Sequence, residues 1–431
     1  MALPISFAIF IPQVNFVTNT VFLGHYSEQV LAIAGITGVY YIVFTAIGNG
    51  LNNGLQALIA RRAGENRPEE IGKVFNQGIF VAMIIAAMGI IITWFLTPYI
   101  FSLFITDPER LQQAIGFSKI RIWGLPFLYI YQMRNALLVG TNQSRYLVAG
   151  ALAEAVTNIV LDYLLIFGKF GFPEMGLNGA AIASIIAEFT GMFVIYLVIH
   201  RKGIGKRFRL FHNFRWEAPT MFLILSVSAP LIFQFAISVA SWEFFFLLID
   251  GHGERALAIS NTMRNIFGMF GIITWSLAAT TNAMVSNVIG QQKQEQVWEL
   301  LGKLLRIAAG FGLVIVLLLN LFPQAFLFVF GQSDDFIQQA IPVVRVVTVA
   351  MMLMSVSVVF LNGVIGSGNS RVSMLIEIGT VCMYSIYVYL SLKVFNWSIA
   401  YGWMGEWIYW GGMLIPSLFY LRSGRWKNKV I

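Results

Sequence analysis

Six acidic residues, Glu154, Asp162, Glu188, Glu243, Glu377 and Glu406, fall inside long apolar stretches of a 431-residue chain. A carboxylate within a membrane is costly unless it is partnered or functional, so each marks a place for proton transfer, cation coordination or a buried pair. Asn158 and Asp162 lie four residues apart. On a helix that spacing projects both side chains from one face, where they could coordinate a cation such as Na+ or share a proton. Gln13, Asn15, Thr18 and Asn19 lie in the first apolar segment, and Asn49, Asn52, Asn53 and Gln56 in the next. Together these describe a polar interior to the first half of the chain. The same amides could also act only as interhelical glue, worth about 0.6 kcal/mol per pair.

In the second half Glu243 lies seven residues before Asp250, and Arg264 ten residues after Glu254. At 1.5 Å per residue the two sit at depths of roughly 10 and 15 Å on adjacent helices, which an arginine can bridge. A buried Glu243–Arg264 ion pair is therefore expected, either structural or broken by protonation or by a cationic substrate. Gln234, Glu377 and Glu406 are expected, like Gln13, Asn15, Asn52 and Gln56, to face a substrate cleft, with Arg345 as an alternative partner for the two glutamates. Arg134 is expected to snorkel to the interface.

Other chemistries lack their residues. No GxxxxGK[ST] phosphate loop occurs, so the energy source is an ion gradient rather than ATP. The single cysteine, Cys382, and four histidines lying between apolar segments suggest neither a disulfide nor a metal centre. No cofactor and no enzymatic activity are expected. The 15% aromatic content and 17 methionines would suit an adaptable pocket for flat lipophilic cations. The string WMGEWIYW at 403–410 is read instead as an interfacial belt.

The elements positioning these groups must be membrane spans. Hydrophobic residues make up 58% of the chain and charged residues 11%, against about 25% charged in a soluble domain. A soluble enzyme is excluded. Apolar runs predict twelve helices near 4–24, 29–60, 74–105, 116–140, 146–168, 177–199, 218–249, 254–288, 297–330, 335–364, 372–394 and 399–421. The first stretch lacks a basic leader and is expected to be retained. At a fixed offset of 226 residues Pro4 meets Pro230, Glu28 meets Glu254, Gly64 meets Gly290, and QQAI at 112–115 meets QQAI at 338–341. Six spans per repeat is an even number, so the repeats are parallel in the membrane, an arrangement of transporters. The expected organisation is an N-lobe at 1–200, a basic linker at 201–217 and a C-lobe at 218–431. Of the 28 basic residues, nineteen fall on one side when both termini are cytoplasmic, satisfying the positive-inside rule. The run at 201–215 is expected to rest on anionic headgroups of the bilayer rather than on nucleic acid.

The strings NTVFLGHYSEQVLAIAG, GLQALIARRAGENR, NIVLDYLLIFG with GLNGAAIAS, GERALAISNTMRN and TNAMVSNVIG, in this order, resemble the multidrug and toxic compound extrusion (MATE) family. The likeness covers nearly the whole chain and is nearest to the bacterial branch holding the DNA-damage-inducible transporters. It implies an all-α polytopic protein with two six-helix lobes around a central cleft. It also implies an antiporter, here expected to be monomeric in a bacterial inner membrane, exporting amphipathic or cationic compounds for H+ or Na+. Lipid-linked oligosaccharide flippases share the architecture and are the alternative. By the resemblance Asn158 and Asp162 are cation-site members. The family's first-helix aspartate falls at Asn19, its sixth-helix hydroxyl at Ala180 with Ser184 one turn on, and a glutamate of the sodium-coupled branch at Ser238 with Glu243 nearby.

Overall fold

The computed structural model describes residues 1–212, 215–328, 333–427 and 429. Residues 213 and 214 of the basic run and 329–330 of the ninth predicted span lie outside the described residues. The described residues form α1 (Ala2–Tyr26), α2 (Glu28–Gly64), α3 (Pro68–Ser102), α4 (Pro108–Arg121), α5 (Leu125–Gly140), α6 (Leu147–Phe167), α7 (Gly176–Arg201) and the short α8 (Ile204–Arg207). There follow α9 (Ala218–Asp250), α10 (Glu254–Gly290), α11 (Val297–Leu321), α12 (Pro323–Phe328), α13 (Asp334–Gly366), α14 (Ser370–Tyr389), α15 (Ile399–Trp403) and α16 (Gly405–Arg422).

The duplication is visible in the helix ends. α2 and α10 each run 37 residues, from a glutamate that favours a helix N-terminus to a glycine. Their bounds differ by the 226-residue offset at both ends. Among the described residues ten helices are long and apolar enough to cross a membrane. The other two predicted spans are each broken. The span predicted at 116–140 begins at Pro108, capped by Asp107, whose Oδ1 accepts the Glu109 N–H at 3.0 Å. It is then interrupted by a 3-10 turn at Ile122–Gly124, just before Pro126. Proline has no N–H to continue the ladder across that point. The last predicted span breaks at Met404 between α15 and α16.

The chain divides into two compact units, one of Met1 and Leu3–Ile232, the other of Ala2 and Phe233–Ile431, the boundary falling within α9. In the N-terminal unit α6 packs on α7 and α2 on α3 and α5. Gly179 permits the first of these approaches, because a Cβ there would stand 2.6 Å from the Leu165 carbonyl oxygen. In the C-terminal unit α13 is the most enclosed helix, packed by α10, α11 and α16. Its core joins Phe245, Met263, Leu301, Val347, Met354 and Trp403.

The basic linker is built onto α3. Buried Asn76 accepts the Phe211 N–H through Oδ1 at 3.0 Å. Buried Gln77 donates to the Arg215 carbonyl at 2.7 Å and accepts the Glu217 N–H at 3.2 Å. Gly72 lets the Phe208 carbonyl come close, where any Cβ would collide. Two exposed ion pairs, Lys73–Glu217 at 2.7 Å and Arg209–Glu69 at 2.8 Å, complete the attachment. The Lys73 ammonium, donating to Glu217, holds that carboxyl below its usual value.

Candidate functional site

Two rungs connect α1 to α6. Asn15 Nδ2 donates to Asn158 Oδ1 at 2.7 Å, and Asn19 Nδ2 donates to Asp162 Oδ2 at 3.0 Å. Both pairs are separated by 143 residues, and each helix contributes residues four apart, so one face of α1 meets one face of α6 in parallel register. Asp162 is fully buried. Its Oδ1, together with Asn15 Oδ1 and Asn158 Nδ2, has no hydrogen-bond partner among the described residues. A buried carboxylate oxygen and an amide oxygen without donors are hard ligands suited to a proton or a small alkali cation.

The C-terminal unit uses the same pair of helices of its own repeat. Gln234 on α9 donates to Glu377 Oε2 on α14 at 3.1 Å, again across 143 residues. Tyr409 on α16 donates to Glu377 Oε1 at 2.6 Å, the Tyr409 and Ser238 hydroxyls lie 2.8 Å apart, and Ser373 donates to Gln234 Oε1 at 2.7 Å. Glu377 thus has both carboxylate oxygens engaged, whereas Asp162 has one. Under the 226-residue offset Glu377 corresponds to Ala151, eleven positions before Asp162. The two halves therefore keep one helix register but place their acids at levels differing by roughly 16 Å along the fifth span.

A third buried group joins α4 to α7. Arg121 reaches Glu188 with Nη2–Oε1 at 2.5 Å and Nη1–Oε2 at 3.0 Å. The Tyr41 hydroxyl lies 3.4 Å from Glu188 Oε1, and its ring lies 4.0 Å from the guanidinium carbon. The sequence alone does not single out Arg121; α4 begins at Pro108, eight residues before the span predicted from 116, which sets Arg121 deeper within it.

Several expectations are corrected. Glu243 and Arg264 form no ion pair; the Arg264 guanidinium lies 4.7 Å over the Phe246 ring instead. Ile259, Met263, Ile266 and Phe267 form the buried stripe of α10, and position 264 points away from it, so matched depth was not matched azimuth. Glu377 engages Gln234 and Tyr409 and not Arg345, which is exposed. Arg134 does not snorkel: it is 7% exposed, donates to the Met192 carbonyl and lies 5.4 Å over the Tyr196 ring. The 403–410 string is not only a belt: Trp403, Gly405 and Glu406 are buried, while Trp407, Ile408, Tyr409 and Trp410 are half-buried. Trp403 is fully buried against Phe245, Tyr409 holds Glu377, and Trp410 Nε1 donates to buried Glu406 at 3.1 Å.

Of the remaining predicted residues, Gln13 is exposed, Asn52 half-buried and Gln56 fully enclosed in the N-terminal unit. Asn49, four positions from Asn53, accepts from Gln132 of α5 at 3.4 Å. Ala180 is buried.

The family model described as MatE matches residues 4–164 and again residues 230–390. Both limits are displaced by the 226 residues read from the repeat. A probable multidrug resistance protein NorM of Thermotoga maritima is 24% identical over 433 residues, covering 96% of this chain and 89% of its own length. One of the same description from Bacillus licheniformis is 25% identical over 326 residues, covering 74% and 71%. Among solved structures, a mutant of the Vibrio cholerae MATE transporter VcmN superposes with a TM-score of 0.89 at 17% identity, over 100% of this chain and 97% of that chain.

Proposed function

The chain belongs to the MatE family, and on that footing we propose that it is a secondary active antiporter exporting amphipathic, cationic organic compounds in exchange for H+ or Na+ by alternating access. The observation that carries the reading is Asp162: fully buried, tied to α1 by Asn19, and with one carboxylate oxygen that has no donor among the described residues. A proton or Na+ arriving there would satisfy that oxygen, and the α1–α6 rungs would be rearranged as it bound and left. Such differential contact is what lets an ion bias a conformational equilibrium.

Glu377 is the counterpart in the second repeat, a carboxylate whose hydrogen bonds from Gln234 and Tyr409 would be remade on protonation. The relatives named as multidrug resistance proteins favour organic cargo. Carboxylate-centred networks in both units favour cationic cargo over the pyrophosphate of lipid-linked oligosaccharides. The distribution of basic residues favours both termini on the cytoplasmic side, and the bacterial sources of the relatives favour a bacterial inner membrane. Efflux of a fluorescent organic cation from reconstituted vesicles, under separately imposed proton and sodium gradients, tests the proposal. Transport driven by neither gradient would overturn it.

A further inference from the structure

At the linker end of the N-terminal unit, α3, α5, α7 and the segment around α8 line a half-open cavity of about 690 Å³, within the roughly 300–1,000 Å³ range of small-ligand sites. Arg134, His200, Lys206, Arg209 and His212 line it, and among the described residues no carboxylate does. Arg134 is the buried floor. Its charge meets only the neutral Met192 carbonyl and the Tyr196 ring, and among the described residues it forms no ion pair, nor do Lys206, His200 or His212.

A buried cation without a counter-charge is costly, and a planar guanidinium beside a lysine matches the oxygens of a phosphate. Arg209 already pairs with Glu69, but both are more than half exposed, and such a pair is weak enough for a phosphate to outcompete. The wall is also held in an unusual backbone. Arg209 and Phe211 take left-handed φ values of 50° and 60°, the latter pinned by Asn76. Strained non-glycine residues persist where the surrounding structure over-determines them, as at ligand clamps.

We infer that this cavity binds a phosphate-bearing anion, the headgroup of an anionic lipid or a free phosphate ester, with Arg134 as its floor and Lys206 and Arg209 at its rim. The test uses the full chain in nanodiscs of phosphatidylcholine, of phosphatidylcholine with phosphatidylglycerol, and of phosphatidylcholine with glycerol 1-phosphate in solution, reading the thermal midpoint. A rise with the lipid or with the soluble ester supports the site and identifies its source. Each cation removed in Lys206→Gln, Arg209→Gln should then weaken the apparent affinity about fivefold. Arg201→Gln with Lys202→Gln, the same charge removed beside the cavity, should preserve the response. Arg134→Met should abolish it, and if that variant fails to fold the rim pair decides. Absence of any rise, or equal loss in the rim and control variants, would overturn the inference, leaving only a diffuse surface potential.

Discussion

Asn19 on α1 and Asp162 on α6, 143 residues apart, are joined by a 3.0 Å hydrogen bond, and the other oxygen of this fully buried carboxylate has no donor among the described residues. In the second repeat Gln234 and Glu377 repeat the 143-residue separation, but there both carboxylate oxygens are engaged. One duplicated helix pair thus presents one open acid and one closed acid.

Replacing Asp162 by Asn should reduce gradient-driven efflux to background while leaving the protein folded, because an amide keeps the rung but carries no titrating charge. Unchanged efflux in vesicles would remove Asp162 from coupling.

Asn19→Asp sets a second carboxylate 3.0 Å from the first, and two ionised carboxylates are not tolerated at that distance without a cation or proton between them. The pH dependence of transport should change. A profile superimposable on that of the unaltered protein would show that α1 does not communicate with coupling.

Tyr409→Phe removes the donor to Glu377 Oε1 and leaves a buried acceptor unmatched, a cost of about 1–3 kcal/mol. The thermal midpoint should fall, and Glu377→Gln introduced in the same chain should recover part of the loss. Additive effects of the two changes would mean that the hydrogen bond contributes nothing to stability.

The Arg121–Glu188 pair is expected to be structural. Glu188→Leu or Arg121→Leu alone strands a buried charge at about 3–5 kcal/mol, whereas both together should be nearly neutral for stability. Denaturation of the four proteins gives the coupling energy, and a value near zero would contradict the bidentate geometry.

Glu217 makes a pH prediction for the linker. Its carboxyl is held below the ordinary value, first by the Lys73 hydrogen bond, so the pair's contribution is present above the ordinary carboxylate value of about 4.3. It is lost as pH falls through the lowered one. Cleavage of the linker by an acid protease should rise across that window, and Lys73→Met should flatten the rise. A linker equally cleavable at all pH values would show that the exposed pair holds nothing.

Much of this protein was legible without coordinates. The scarcity of charge required membrane helices, the 226-residue offset revealed a duplication, and the four-residue spacing put Asn158 and Asp162 on one helical face. These are consequences of composition and of helical period, which act within one segment. Tertiary structure decided which faces meet. Glu243 and Arg264 matched in depth, yet packing of the Ile259–Phe267 stripe turned Arg264 toward Phe246. Arg121 found Glu188 across 67 residues, and Tyr409 found Glu377 on the neighbouring span. The basic run, read as a loop, was held against α3 by Asn76 and Gln77. Depth along a helix can be counted from the chain; rotation about its axis is set by the burial of apolar side chains on neighbouring helices.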